Sequence, residues 1–201
     1  GLVGSEMCIR DRHACILTAA VPRLCEEVFR LFPYGASAKA FRMMYEFGLL
    51  GDLLPELAAF IDKDGGVESS TWKYLATLDR YEKAMRARGV EVSNGVRAAA
   101  LFAAMARARP GHAYEIVGTM MESLRIPKTT YFTAVLLLDS VKRLEQPPQK
   151  SRRRIVHNRE FPDILDFNRI VARTEGRDER VLDQWDAQSR QACKKQGENH
   201  E

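Results

Sequence analysis

From residue 22 onward, apolar positions recur at helical rather than alternating spacing. Pro22 suits a first turn, and Leu24, Val28 and Leu31 follow at i, i+4 and i+7, with Glu26 and Glu27 near the helix end that favours acids. A second helix is predicted over residues 36–47 with Phe41, Met44 and Tyr45 inward, stopped by Gly48 as a left-handed C-terminal residue. Phe41, Met44, Leu50, Leu54 and Leu57 are expected to form the core between it and the next helix, residues 53–61, which Asp52 is expected to cap. Asp64-Gly65-Gly66 breaks the chain, and Ser69 or Ser70 restarts a long helix to about residue 88 with Trp72, Leu75, Leu78 and Met85 buried.

The second half continues in the same way. Asn94 is the expected cap of an Ala-rich helix over residues 95–109, whose small side chains permit close helix contact, and Pro110-Gly111 ends it. Helices over residues 112–124 and 128–144 flank the extended step Ile126-Pro127. After Gln146-Pro147-Pro148-Gln149, three shorter helical stretches are predicted at residues 151–158, 162–174 and 178–195. No alternating β pattern stands out, so the expected fold is all-α. The first twelve residues, GLVGSEMCIRDR, have no periodicity and read as a non-native leader, which is set aside from fold reasoning.

With 45% hydrophobic and 29% charged residues, the 201-residue chain has the material for a folded core. Its longest apolar stretch, residues 98–106, falls short of the roughly 20 residues of a membrane helix. No secretion signal is evident, and the cytoplasm is the expected compartment. Cys8, Cys15, Cys25 and Cys193 form no C-x-x-C pair, and His13, His112, His157 and His200 are scattered, so neither a metal centre nor a catalytic dyad is expected, nor any cofactor in this chain. Asp62, Asp64 and Gly65-Gly66 imitate the start of a calcium loop, but the ligands do not continue and Lys73 stands where a closing Glu belongs.

Charge is informative by its placement. The chain carries a net +4, while residues 142–173 hold nine Lys or Arg against four acids, a local excess of five. Such a cluster suits a polyanion. Arg152, Arg153 and Arg154 are consecutive, and guanidinium groups bind phosphate oxygens bidentately; Arg159, Arg169 and Arg173 extend the set. Tyr131, Phe132, Phe161 and Phe167 lie near this segment and have the chemistry to stack bases, although core packing is the expected role of each.

The order of segments also resembles a known family. The stretch VPRLCEEVFRLFPYGASAKAFRMMYEFGLLGDLLPEL, residues 21–57, resembles the neck of the class II tRNA nucleotidyltransferase and poly(A) polymerase superfamily, in which R-L-x-E-E is followed by G-L-L and L-x-P-E. LRIPKTTYFTAVLLLDSVKRLEQ, then RRRIVHNREFPDILDFNRIVAR and VLDQWDAQ, resemble the body and tail of bacterial poly(A) polymerases through an I-P-K step, a basic linker, an F-x-x-x-x-D-F helix and a Trp-bearing terminal helix. The resemblance implies a helical neck over residues 13–62, an RNA-binding body over 63–145 and a basic tail over 146–201, with Arg23, Glu26 and Glu27 on the neck helix. It also implies that Lys128 and Arg152 to Arg154 line the surface that guides single-stranded RNA 3′ ends. The family's catalytic motifs, a Gly-Gly-x-Val-Arg-Asp loop and a metal-binding Asp pair, are not found in this chain; Ile9-Arg10-Asp11 only imitates the loop's end. By this resemblance the chain is the C-terminal part of an enzyme that adds adenosines from ATP to RNA, with ATP and Mg²⁺ held by a catalytic head. The alternatives are a CCA-adding tRNA nucleotidyltransferase, which shares the neck, and a stand-alone helical RNA-binding adaptor.

Overall fold

A computed structural model describes residues 21–33 and 35–198, together with the side chains among them except those of residues 21, 22, 150–153 and 193–198. The leader, His13, Cys8, Cys15 and His200 lie outside the described residues, as do the side chains of Arg152, Arg153 and Cys193. The elements are α1 (Val21–Arg30), α2 (Ser37–Glu46), α3 (Leu49–Leu53), α4 (Pro55–Lys63), α5 (Ser70–Arg86), α6 (Asn94–Ala108), α7 (Ala113–Leu124), α8 (Lys128–Leu144), α9 (Phe161–Thr174) and α10 (Arg180–Glu198), with 3₁₀ turns at Gly66–Glu68 and Lys150–His157. Among the described residues there is no strand, and the fold is all-α as its periodicity predicts.

The Ala-rich helix α6 occupies the centre. All eleven residues 95–105 are buried, and at 3.6 residues per turn such a run covers every face of three turns. Its neighbours α5, α7, α8 and α9 enclose it. Alanine allows this, because a short side chain lets helix axes approach closely while leaving few voids. The approach is closest at Gly95, where an added Cβ would stand 2.8 Å from Thr133 Cβ and nearer still to its Cγ2. Polar contacts fix the directions of the surrounding helices. Thr133 of α8 lies beside Gly95 while Glu145 beyond its other end meets Arg107, so α8 runs parallel to α6. Likewise Ser93 Oγ donates to Asp163 and Arg107 pairs with Glu175, so α9 is parallel too. Tyr81 to Asp166 and Tyr74 to Glu175 run in the opposite sense, which makes α5 antiparallel.

Side-chain caps join the N-terminal helices to this bundle. The Asp79 carboxylate on α5 accepts from Ser37 N at 2.9 Å, Ser37 Oγ at 2.7 Å and Ala38 N at 3.1 Å, and so satisfies the free amides that begin α2. Asp64, in the turn that imitates a calcium loop, instead accepts from Ser69 Oγ, Ser70 N and Ser70 Oγ at the start of α5. Ser69 caps that helix as expected, its Oγ accepting from Thr71 N.

Several details differ from the sequence pattern. Asp52 is not a cap but lies within α3; Pro55 lacks an N–H and cannot continue that helix, so the chain breaks at Leu54 and restarts with Pro55 in the first turn of α4. Ser93, not Asn94, caps α6, with its Oγ accepting from Val96 N, while Asn94 accepts a hydrogen bond from Arg97. On α1 and the turn after it the buried residues are Cys25, Val28, Phe29 and Phe32, and Leu24 and Leu31 are only half-buried, because the aromatic rings claim the inner face. Met44, Tyr45 and Met85 are half-buried at the core's edge, whereas Phe41, Leu50, Leu54 and Leu57 lie fully inside. The segment predicted as helix at 151–158 is a 3₁₀ turn.

Two substitutions test this packing. Gly48 ends α2 at φ 80°, so Gly48→Val is expected to cost more than the ~1 kcal/mol ordinarily separating Gly from other residues in a helix; urea or thermal melts read the loss. Gly95→Ala drives its Cβ against Thr133 and is expected to cost about 1–3 kcal/mol. Thr133→Ser in that background removes Cγ2, the nearest atom, and should recover part of the loss in the same melts.

Candidate nucleic-acid interface

The basic residues separate into two groups by what they touch. Arg169 and Arg173 lie on α9 and are held by carboxylates at the start of α10. Arg169 reaches Asp183 at 3.1 Å, Asp186 at 3.5 Å and Glu179 at 3.6 Å. Arg173 pairs with Glu179 at 2.8 Å and lies over the Tyr81 ring, 5.2 Å from its centroid. These two arginines dock the last helix onto the bundle, and their charge is balanced inside the fold. Sequence spacing placed them with the phosphate-binding set because the acids opposite them come six to seventeen residues later, across the turn at Gly176.

The second group faces solvent. Arg154 and Arg159 are exposed and make no ion pair among the described residues; the same holds for Lys142 and Arg143 in the last turn of α8 and for Lys128, its first residue. The 3₁₀ turn carrying Arg154 is anchored by Ile155 and Val156, both buried, and its neighbours are α9 and α10. The backbone of Arg152 and Arg153 belongs to the same turn. Lys128 begins α8 and Arg159 lies just before α9, and the two helices begin at one end of the bundle because they run parallel there.

Arg107, absent from the sequence-derived set, is the hub of the opposite end. It pairs with Glu175 at 2.7 Å and Glu145 at 3.2 Å, Arg177 joins the same two acids, and Tyr74 donates to Glu175 at 2.8 Å. Burial, with the adjacent carboxylate, pushes the Tyr74 phenol well above its ordinary range, which keeps it a hydrogen-bond donor. Beside this hub a cavity of about 250 Å³ lies between α6, α7, α8 and α9, with Ala103, Leu138 and Phe167 among its apolar lining and Arg109 and Lys142 at its polar edge. Inside the bundle, Arg97 and Glu82 form a buried pair at 2.7 Å. Burial raises the Glu82 carboxyl above its usual range against the opposing pull of Arg97.

Of the four aromatics near the basic segment, Phe161, Phe167 and Tyr131 are buried. Phe132 is 53% exposed and stands beside Tyr114, which is 59% exposed. Tyr114 is not among the aromatics the sequence singles out, because it lies well before the basic segment of residues 142–173 and comes next to Phe132 only through the packing of α7 on α8. Among the described residues, no three His, Cys, Asp or Glu side chains gather as a metal ion requires, and no helix is long and apolar enough to cross a membrane.

No curated protein and no solved structure matches the chain. Residues 7–61 match the family model described as "Probable RNA and SrmB- binding site of polymerase A", a match that takes in α1 to α3 and most of α4 and lies outside the basic segment.

Proposed function

We propose that this chain is the RNA-holding helical part of a nucleotidyltransferase that adds adenosines from ATP to RNA 3′ ends. The observation that carries the reading is the family-model match over residues 7–61, the region whose R-L-x-E-E, G-L-L and L-x-P-E motifs resemble the neck of these enzymes. The unpaired, exposed cations support it: Lys128, Arg154 and Arg159 have no carboxylate to neutralise them among the described residues and are available to phosphate. Arg152 and Arg153 complete the basic turn. Arg169 and Arg173 belong to the reading only as the pair that seats α10 beside it. In this division of labour ATP and Mg²⁺ belong to a catalytic head, and the chain's own residues bind and orient the RNA.

Incubation of the chain with ATP, Mg²⁺ and oligo(A) is therefore expected to give no extension, because among the described residues no three His, Cys, Asp or Glu side chains gather to hold a metal ion that would activate a 3′-hydroxyl. Template-independent extension by a clean preparation would move catalysis into this chain and overturn the assignment.

RNA binding is tested through salt. Each contact to a single-stranded phosphate contributes about −0.7 to the slope of log K against log salt. Three consecutive arginines point in different directions on any helical turn, so one or two of them meet a single strand. Replacing Arg152 and Arg153 together by Ala should flatten the slope by roughly one unit and weaken binding to all sequences alike. Arg169→Ala, by contrast, should lower the melting temperature and leave the slope unchanged. Equal affinity of wild type and double mutant at low salt would reduce the cluster to a solvated face, and preferential binding of a CCA-ended tRNA acceptor over oligo(A) would favour the CCA-adding alternative.

A further inference from the structure

We infer that Tyr114 and Phe132 form a stacking platform for the bases of single-stranded RNA, on a surface of α7 and α8 separate from the basic 3₁₀ turn. The inference rests on the RNA-binding reading above and says where bases, rather than phosphates, are held. Three rings form the platform. Tyr131, 6% exposed, lies under the other two, with its ring centroid 5.2 Å from Tyr114 at 81° and 5.2 Å from Phe132 at 65°. Its hydroxyl donates to the Tyr114 carbonyl at 3.1 Å, which ties the start of α7 to α8. The two outer rings stand 6.4 Å apart at 55° and are each more than half exposed. A buried ring thus holds two exposed rings in fixed orientation, so little rotamer entropy remains to be lost when a ligand stacks on them.

The surroundings favour a nucleic acid over an apolar partner. One helical turn before Phe132 on α8 is Lys128, exposed, and three residues earlier Arg125 is exposed as well. Arg125 is the positive-φ residue other than glycine among the described residues, at φ 49°, and it caps α7 immediately before the I-P-K step. The left-handed cap fixes the backbone from which its guanidinium reaches outward. One turn along α7 from Tyr114 is Gly118, where a Cβ would meet nothing within 4 Å, so the space beside the Tyr114 ring is open. Glu122 lies on the same stripe, and Glu115 is engaged by Arg109 and His112. Exposed aromatic faces with cations one turn away are the pattern by which single-strand binders hold bases without reading their identity.

Fluorescence anisotropy of a dye-labelled oligo(A) RNA with the full 201-residue chain tests the platform. Phe132→Ala and Tyr114→Ala should each weaken binding about tenfold without changing the salt slope, since stacking releases no counterions. Lys128→Ala should lower the slope by about 0.7. Phe132→Trp should keep the affinity, and its indole fluorescence should be quenched as RNA saturates. An abasic ribose-phosphate strand of equal length should bind the wild type and Phe132→Ala alike. If the wild type binds RNA and both alanine variants, folded by circular dichroism, bind as tightly, the platform is overturned while RNA binding stands, and the rings are assigned to a protein contact. If the wild type binds no RNA at any salt concentration, the platform and the functional reading fall together.

Discussion

The architecture depends on burying one helix completely. α6 has no solvent face over residues 95–105, so every surrounding helix is positioned by how closely it can approach a rod of alanine, glycine and a few larger side chains. The cost of enclosing a helix in this way falls on its polar members. Arg97 is buried with Glu82 as its partner and Asn94 as an additional acceptor, and Glu82 Oε2 has no hydrogen-bond partner. A pair of this kind contributes little net stability once desolvation is counted, yet removing either partner strands a charge in the interior. Arg97 and Glu82 therefore act as a register mark between α5 and α6 more than as glue.

The periphery is fastened differently. Asp79 and Asp64 cap the helices that begin nearby, Ser140 accepts a hydrogen bond from Asn168 between α8 and α9, and Trp185 Nε1 donates to the Gln146 carbonyl. The Trp185 contact brings the terminal helix back to the Pro-rich interruption, so the chain on either side of the basic 3₁₀ turn is held to the bundle. The Asp79 and Ser140 contacts cross the divisions between neck, body and tail that the family resemblance suggests.

Helix positions were legible because proline, glycine and the apolar period act locally. Pro110-Gly111, Pro127 and Gly48 punctuate the chain where the pattern placed them, and the 128–144 helix has the expected bounds. Caps were legible only in part: Ser93 and Asn94 are both good candidates by chemistry, and the choice was made by the carboxylate of Asp163, seventy residues away. The candidate interface was least legible for the same reason. A run of basic residues shows where positive charge sits along the chain but not which acids lie opposite it in space, so Arg169 and Arg173 looked equivalent to Arg154 and Arg159. Exposure of Phe132, unlike that of its neighbour Tyr131, likewise depends on which side of α8 faces α7.

A helix enclosed on all sides also divides the chain by how freely its sequence can change. The buried positions 95–105 of α6 leave little room for a larger side chain, and at Gly95 an added Cβ would have to displace Thr133. The exposed cations that make no ion pair among the described residues, Lys128, Arg154 and Arg159, are under no such packing constraint. Such a scaffold lets the charge of the surface change one residue at a time while the bundle beneath stays the same.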